Sequence, residues 1–208
     1  IILCRDRSVK RLEELREGAT VGTSSMRRTA QLRRARPDLN ISNLRGNLQT
    51  RMRKLDEGSY DAILLAKAGL ERMGLEEDYV RLNDEMFVPS ANQGTIIVVA
   101  RKGSKAECYS RLLDDAPTRT ETMIERRILE TVGGGCVVPM AVHASAAGGW
   151  ARVLAEVLSL DGKRFVRLDE KISLHDDPLG RAEDMGRRLM NMGGRELVDE
   201  AVKEFGVR

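Results

Sequence analysis

Aromatic residues are scarce in this 208-residue chain: three Phe, three Tyr and one Trp, or 3% of the total. That leaves no stacking platform for single-stranded nucleic acid, and no helix-turn-helix or ribonucleoprotein signature stands in its place. Histidine is nearly absent as well, with only His143 and His175. The three cysteines (Cys4, Cys108 and Cys136) are odd in number, widely spaced and without a CxxC pair. Such a set argues against both a disulfide framework and a zinc site, and it favours a reducing, cytoplasmic setting. No apolar run approaches the roughly 18 residues needed to cross a bilayer. The opening IILCRDRSVK has an apolar run of three residues followed at once by charge, which is not the pattern of a signal peptide. Neither an internal repeat nor a low-complexity tract is visible. An initiator Met is missing too, so the expectation is a processed chain or a piece of a longer one.

What is present fits a globular protein with real cores, in one large domain or two of ordinary size. Hydrophobic residues make up 41% and charged residues 32%. Net charge is only +3, but its distribution is uneven: RRTAQLRRAR, from Arg27 to Arg36, holds five arginines and no acid. A local basic region of this kind predicts an anionic partner.

The first part alternates strand and helix. ATVGTSS (19–25) reads as a strand ending in small hydroxyl residues, and MRRTAQLRRARPD as a helix capped by Ser24 or Ser25, with Met26, Ala30 and Leu32 facing inward. LNISNL (39–44) has strand composition, RGNLQTRMRKLDEG is a helix closed by Gly58, and YDAILLA (60–66) is an apolar run suited to a doubly buried strand. AGLERMGL begins another helix. After the loop VPSANQG (88–94), TIIVVAR reads as a further buried strand. SKAECYSRLLDD and TRTETMIERRILETV follow as helices. The pattern then changes to three strand-like runs, VVPMAVHASA, WARVLAEVLS and RFVRLDEKISL, the last two joined by the hairpin signal Leu160-Asp161-Gly162-Lys163. Two helices, PLGRAEDMGRRLMNMGG and RELVDEAVKEFG, close the chain. The fold class expected is α/β with a mainly parallel sheet, followed by a small α+β domain with a three-stranded antiparallel sheet.

Two features stand out chemically. Arg27 and Arg28 lie in the first turn of a helix whose free N–H groups already favour anions, next to Gly22, Thr23, Ser24 and Ser25. Arg45, Arg51 and Arg72 lie at or just beyond the following strand ends, and in a doubly wound sheet those ends line one crevice. The arginine fork binds carboxylate or phosphate bidentately and keeps its charge. The other reading is solvated helix surface, which is the one taken for Arg33, Arg34, Arg36 and Arg53. The second feature is TVGGGCVVP, in which three glycines precede Cys136. Free cysteine is usually core. The glycines nevertheless permit left-handed backbone and close approach of something bulky, and no His lies within seven residues to activate a nucleophile. Core packing and an attachment point both remain open on these residues alone.

VGTSSMRRTAQL (21–32), RPDLNISNLRGNLQTRMRKLDEGSYDAILLAKAGLERMGL (36–75), VPSANQG (88–94) and GGGCVVPMAVHA (133–144) together resemble the porphobilinogen deaminase (hydroxymethylbilane synthase) family, in its order and over nearly the whole length. The resemblance implies a periplasmic-binding-protein-like fold for 1–90, which would bind the polypyrrole. It makes 91–117 the returning strand and helix of a first domain, and 118–208 the cofactor-attachment domain. It implies a dipyrromethane cofactor joined by a thioether to Cys136 and held by Thr23, Ser24, Ser25, Arg27, Arg28, Arg45 and Gly46. Arg51 and Arg72, with Arg27 and Arg45, would bind the substrate porphobilinogen and the growing chain. Four units would be condensed with loss of ammonia and released as hydroxymethylbilane, in heme and other tetrapyrrole biosynthesis.

Three departures accompany the resemblance. The family has about a hundred further residues in front, which hold its catalytic aspartate. No catalytic residue is therefore identified here, and 208 residues alone are expected not to turn over. Asn92 stands where the family has glycine, and GGGC replaces the commoner EGGC. A metal, a nucleic acid and a membrane are not expected as partners. The expected form is a monomer, or one completed by the missing N-terminal segment as a partner. The rival readings are a module that only holds a small anion, and nucleic-acid binding through RRTAQLRRAR.

Overall fold

A computed structural model of the chain describes residues 1–205. Its first part holds β1 (Ile2–Cys4), β2 (Thr20–Gly22), α1 (Met26–Ala35), β3 (Asn40–Ser42), α2 (Leu48–Asp56), β4 (Ala62–Leu64) and α3 (Lys67–Arg72). The sheet runs β1-β4-β2-β3, with β2 parallel to both β3 and β4, and β1 antiparallel to β4. YDAILLA behaves as its apolar composition predicts. Ala62 and Leu64 pack on one face with Ile2, Val21 and Leu32, while Ile63 and Leu65 pack on the other with Leu3, Leu44 and Leu55. β1 was not anticipated, because three apolar residues before a charge carry no alternation to read. Its place comes from pairing with β4 and from a bridge between Ile2 and Val80.

The second part holds α4 (Lys105–Ser110), α5 (Ala116–Val132), β5 (Met140–Ala147), β6 (Trp150–Leu158), β7 (Phe165–Ser173), α6 (Pro178–Leu189) and α7 (Arg195–Phe205). The three strands form an antiparallel meander, β5-β6-β7. One face packs on α5, α6 and α7 through Ile124, Ile128, Val142, Val153, Met185, Leu189 and Leu197. Gly186 permits the close approach of α6 to α5, since a Cβ there would lie 2.7 Å from that of Thr131. A wide turn at Met190–Gly194 separates the last two helices, with Gly193 at φ 112°. The expected last helix and domain run to Gly206 and residue 208, which lie outside the described residues.

TIIVVAR is not a strand. Residues 95–100 have no ladder partner, and Ile96, Ile97, Val98 and Val99 are 57–85% exposed. A strand requires neighbours for its N–H and C=O groups, and none of the described strands runs beside this segment. Apolar composition marks what wants burial; it cannot supply the second strand.

Asp61 ties the first sheet together. Its backbone bonds to Thr20 and Arg5, while its carboxylate accepts from the Thr20 N–H and from Arg16 Nη2, both at 2.8 Å, with Arg5 3.5 Å away. The Thr20 N–H above all, then Arg16, holds this carboxyl below the usual range. A depressed folded value means stability present above the unfolded value and lost as pH falls through the folded one. Asp61→Asn should cost about 1 kcal/mol at neutral pH, after allowance for solvent screening of the exposed arginines. Urea denaturation should show that difference shrinking as pH falls below the ordinary carboxylate range.

Candidate functional site

Because β2, β3 and β4 are parallel, their carboxyl ends meet at one edge of the sheet. Gly22 ends β2 against the Tyr60 ring, where a Cβ would come within 2.8 Å of it. Thr23 is buried; its N–H donates to the Ser42 carbonyl at 3.0 Å, and its Oγ1 accepts from the Ser25 N–H at 3.3 Å. Ser24 is exposed, and Ser25 is the residue that caps α1, through the Arg28 N–H. The next strand end carries exposed Arg45 and Gly46, the latter at φ 120° with Thr50 close against it.

Arg27 and Arg28 line a cavity of about 300 Å³ together with Gln31, Leu64, Lys67 and Gln93. Arg27 is buried, and its Nη1 donates to the Val88 carbonyl at 2.6 Å and to Gln31 Oε1 at 2.9 Å. The Arg28 Nη1 donates to the Leu64 carbonyl at 3.2 Å. Burial, followed by repulsion from Arg28, pulls the Arg27 guanidinium down to about 10, with Glu156 opposing the shift. Burial also lowers Arg28, as does Arg51. Arg51, whose Nε donates to the Gly46 carbonyl at 2.8 Å, is therefore close enough to repel Arg28. Three of the five expected arginines thus share one field. Such a cluster of desolvated cations stabilises an incoming carboxylate or phosphate, which relieves the mutual repulsion. Arg45 and Arg72 are exposed, form no ion pair among the described residues and do not line this cavity. Arg72 sits in the last turn of α3.

Arg33 and Arg53 are exposed, but Arg34 and Arg36 are not the solvated residues expected. Arg34 pairs with fully buried Glu156 at 2.9 Å. Arg36 chelates Asp38 and donates to the carbonyls of Leu12 and Leu15 at 2.7 and 2.9 Å. Of the expected inward set, Ala30 and Leu32 are fully buried, whereas Met26 is only half-buried and Arg27 and Gln31 point inward instead. Sequence reasoning missed Gln31 and Glu156 altogether. One signal was available, since Glu156 is the sole acid in the run WARVLAEVLS.

The glycines before Cys136 build a fixed turn. Gly133, Gly134 and Gly135 all have positive φ, at 76°, 80° and 68°, and a single 3-10 turn (135–137) follows. A Cβ on Gly134 would lie 2.3 Å from Val138 Cγ2 and 3.1 Å from Val198 Cγ1, whereas those on Gly133 and Gly135 would meet nothing within 4 Å. The turn leaves Cys136 exposed, while Cys4 is buried and its thiol is pushed up to about 11 by that burial. Cys136 does not line the arginine cavity. The segment 88–94 links the two features: Pro89 and Gln93 line the cavity, and the Pro89 carbonyl accepts from the Val142 N–H of β5 at 3.0 Å.

Asn92 in that segment takes φ 60°, a backbone that favours glycine. Buried Glu125 holds it there, accepting from the Asn92 N–H at 2.5 Å and from the Ala144 N–H of β5 at 2.8 Å. With its amide nitrogen turned toward α5, Asn92 also donates to Glu125 at 3.3 Å and to the Thr122 carbonyl at 3.2 Å. A larger cavity, of about 1050 Å³, lies between 81–85 and the outer sheet face around His143, Trp150 and Lys171; it contains none of the expected site residues. Among the described residues no helix is long and apolar enough to cross a membrane, and no group of three His, Cys, Asp or Glu side chains is placed to hold a metal.

Fold and site together define a two-part α/β and α+β protein that gathers buried arginines at strand ends and displays a single thiol on a glycine turn. Residues 2–108 match the family described as porphobilinogen deaminase, dipyromethane cofactor binding domain, and residues 119–192 match the porphobilinogen deaminase C-terminal domain. The chain belongs to the porphobilinogen deaminase family. It is 49% identical over 196 residues to a probable porphobilinogen deaminase of Methanosarcina mazei, covering 93% of this chain and 62% of that one. A second relative of the same printed name, from Methanococcoides burtonii, is 48% identical, covering 99% of this chain and 66% of its own length. A third, from Methanosarcina acetivorans, is 50% identical with 93% and 62% covered. The chain thus spans a little under two thirds of the length of these curated relatives.

Gly134→Ala should destabilise the fold by about 1–3 kcal/mol, through left-handed strain plus the clash with Val138. Gly135→Ala carries only the strain and should cost about 1 kcal/mol. Asn92→Ala should cost about 1 kcal/mol or more, and Asn92→Gly less, because glycine accepts the same φ without the side-chain bonds. Urea denaturation midpoints of the four variants check this order.

Proposed function

We propose that this chain is the polypyrrole-binding and cofactor-attachment part of a hydroxymethylbilane synthase. The observation that carries the reading is the desolvated pair Arg27–Arg28, with Arg51 in its field, facing a cavity that has an excess of positive charge. Its ligand would be a polyanion bearing several carboxylates, and a pyrrole chain with an acetate and a propionate on each ring has that chemistry. The residues present fit a dipyrromethane. Cys136 offers an accessible thiol for a thioether, and Arg27, Arg28, Arg45 and Gly46, with Thr23, Ser24 and Ser25, offer guanidinium, hydroxyl and backbone donors for its carboxylates. When bound, that group supplies the nucleophilic pyrrole carbon onto which four porphobilinogen units are joined with loss of ammonia, before hydrolytic release of hydroxymethylbilane.

The chain's own contribution is to tether, orient and neutralise. Cys136 holds one end on a turn fixed by Gly134, so it acts as an anchor. Arg51 and Arg72, with Arg27 and Arg45, receive the carboxylates of incoming and growing units, and a charge-assisted pair in a partly dry cleft is worth about 1.5–3 kcal/mol. Residues 1–90 are taken as the periplasmic-binding-protein-like substrate domain, 91–117 as the return to a first domain, and 118–208 as the cofactor domain. The exposed apolar residues Ile96 to Val99 favour that assignment of 91–117, since such a strip calls for a neighbouring strand. The working form would be a cytoplasmic monomer, with the remaining third of the relatives' length supplying the catalytic carboxylate in the same chain or as a partner segment.

Mass spectrometry of the full-length protein tests the attachment. Its intact mass should exceed the sequence mass by one dipyrromethane, and Cys136→Ser should remove the increment. An unmodified full-length wild type would rule the attachment out and leave a module that only binds anions. In the same background Arg28→Ala should lower kcat/KM for porphobilinogen by about 10- to 100-fold, with the melting temperature little changed.

A further inference from the structure

Arg27, Gln31 and Arg34 follow the i, i+4, i+7 spacing of a single helix face, and on α1 that face meets β6. Glu156, in the middle of β6, is fully buried, registered between Ala141 of β5 and Arg167 of β7. Its Oε1 accepts from Gln31 Nε2 at 2.9 Å and from Arg34 Nη2 at 3.4 Å. Its Oε2 accepts from Arg34 Nη1 at 2.9 Å and lies 3.6 Å from Arg167 Nη1. An ionised carboxylate can only accept, so it dictates which way the Gln31 amide points. The amide nitrogen faces Glu156 and the Val88 carbonyl, the latter at 2.9 Å, and only the oxygen is left for Arg27.

Arg27 in the arginine cavity is thus held directly by the Val88 carbonyl and, one residue removed, by a carboxylate from the unit that carries Cys136. The other charged side chains lining this cavity are Arg28 on the same helix, Lys67 at the start of α3, and Arg81 and Asp84 in the segment before Val88, and the Ile1 amino group lines it too. Glu156 is the acid on β6 whose field reaches Arg27 and opposes the repulsion from Arg28.

We propose that Glu156 is a positioning residue for the arginine cavity: through Gln31 it orients Arg27. The cofactor-bearing unit thereby sets the anion affinity of a cavity built by the other. This inference rests on the functional reading above and deepens it. A merely structural Glu156 would change melting temperature and leave substrate affinity alone; a positioning one moves KM and couples to Arg27.

The test uses the full-length holoenzyme and porphobilinogen, with three variants and one combination. Arg27→Ala is the reference. Glu156→Leu/Arg34→Leu removes the buried carboxylate together with its nearest cation, and the more exposed Arg167 keeps its bond to the Glu85 carbonyl. Glu156→Gln keeps shape and an acceptor but loses the charge, and it carries the test if the double variant does not fold. Expected is a KM raised about tenfold in the double variant, with kcat within about twofold of wild type. In Glu156→Gln an amide that donates as well as accepts no longer dictates the Gln31 orientation, and the lost negative charge by itself favours the anion, so the rise is smaller, about threefold. Adding Arg27→Ala to Glu156→Gln should raise KM no further than Arg27→Ala alone. An unchanged KM in the Glu156 variants, or fully additive effects with Arg27→Ala, overturns the inference while leaving the functional reading intact. An unchanged KM in Arg27→Ala itself overturns both.

Discussion

A carboxylate with no exposed surface sits where the two halves of this protein meet, and the packing around the arginine cavity depends on it. Ionised Glu156 in the middle of a β-sheet is tolerated only because Arg34, Gln31 and Arg167 surround it. Two of those groups belong to the helix that opens with Arg27 and Arg28. Satisfying a buried charge on one side of the boundary therefore fixes the rotation and depth of α1 on the other. The same packing buries Arg27, and that burial makes the guanidinium pair an attractive site for anions.

A second junction works in the same way with neutral partners. Glu125 receives backbone N–H groups from β5 and from Asn92, which fastens the 88–94 segment against the α+β unit. That segment in turn gives the Val88 carbonyl to Arg27 and Gln31, and Pro89 and Gln93 to the wall of the cavity. Asparagine is accommodated at this left-handed position because its amide anchors the strained backbone. Cys136 lies on the glycine turn ahead of β5, and β5 bonds to the 88–94 segment that walls the arginine cavity.

Much of this could be read in advance, and the failures are instructive. Alternation of βα units, the hairpin at Asp161-Gly162 and the three-stranded run are local patterns, and each appears close to where composition placed it. β1 escaped notice because three apolar residues before an arginine have no period. TIIVVAR has strand composition yet no strand neighbour among the described residues, so it lies open. Arg34 and Arg36 looked like surface because a run of arginines normally is. Their counter-charges, Glu156 and Asp38, are 122 and two residues away, and only the first of those separations is beyond the reach of local reading.

The residue order alone determines the elements, the glycines that must turn the chain before Cys136, and the basic stretch that calls for an anion. It also carries the family resemblance, because motif spacing is a one-dimensional property. Tertiary structure alone decided which arginines are desolvated. Five were candidates at strand ends, but desolvation and mutual repulsion, which depend on distance and burial, single out Arg27 and Arg28, with Arg51 beside them. It also decided that a glutamate far along the chain would hold one of them in place, since a buried charge is answered by whatever donor lies within hydrogen-bond reach, at any separation in sequence.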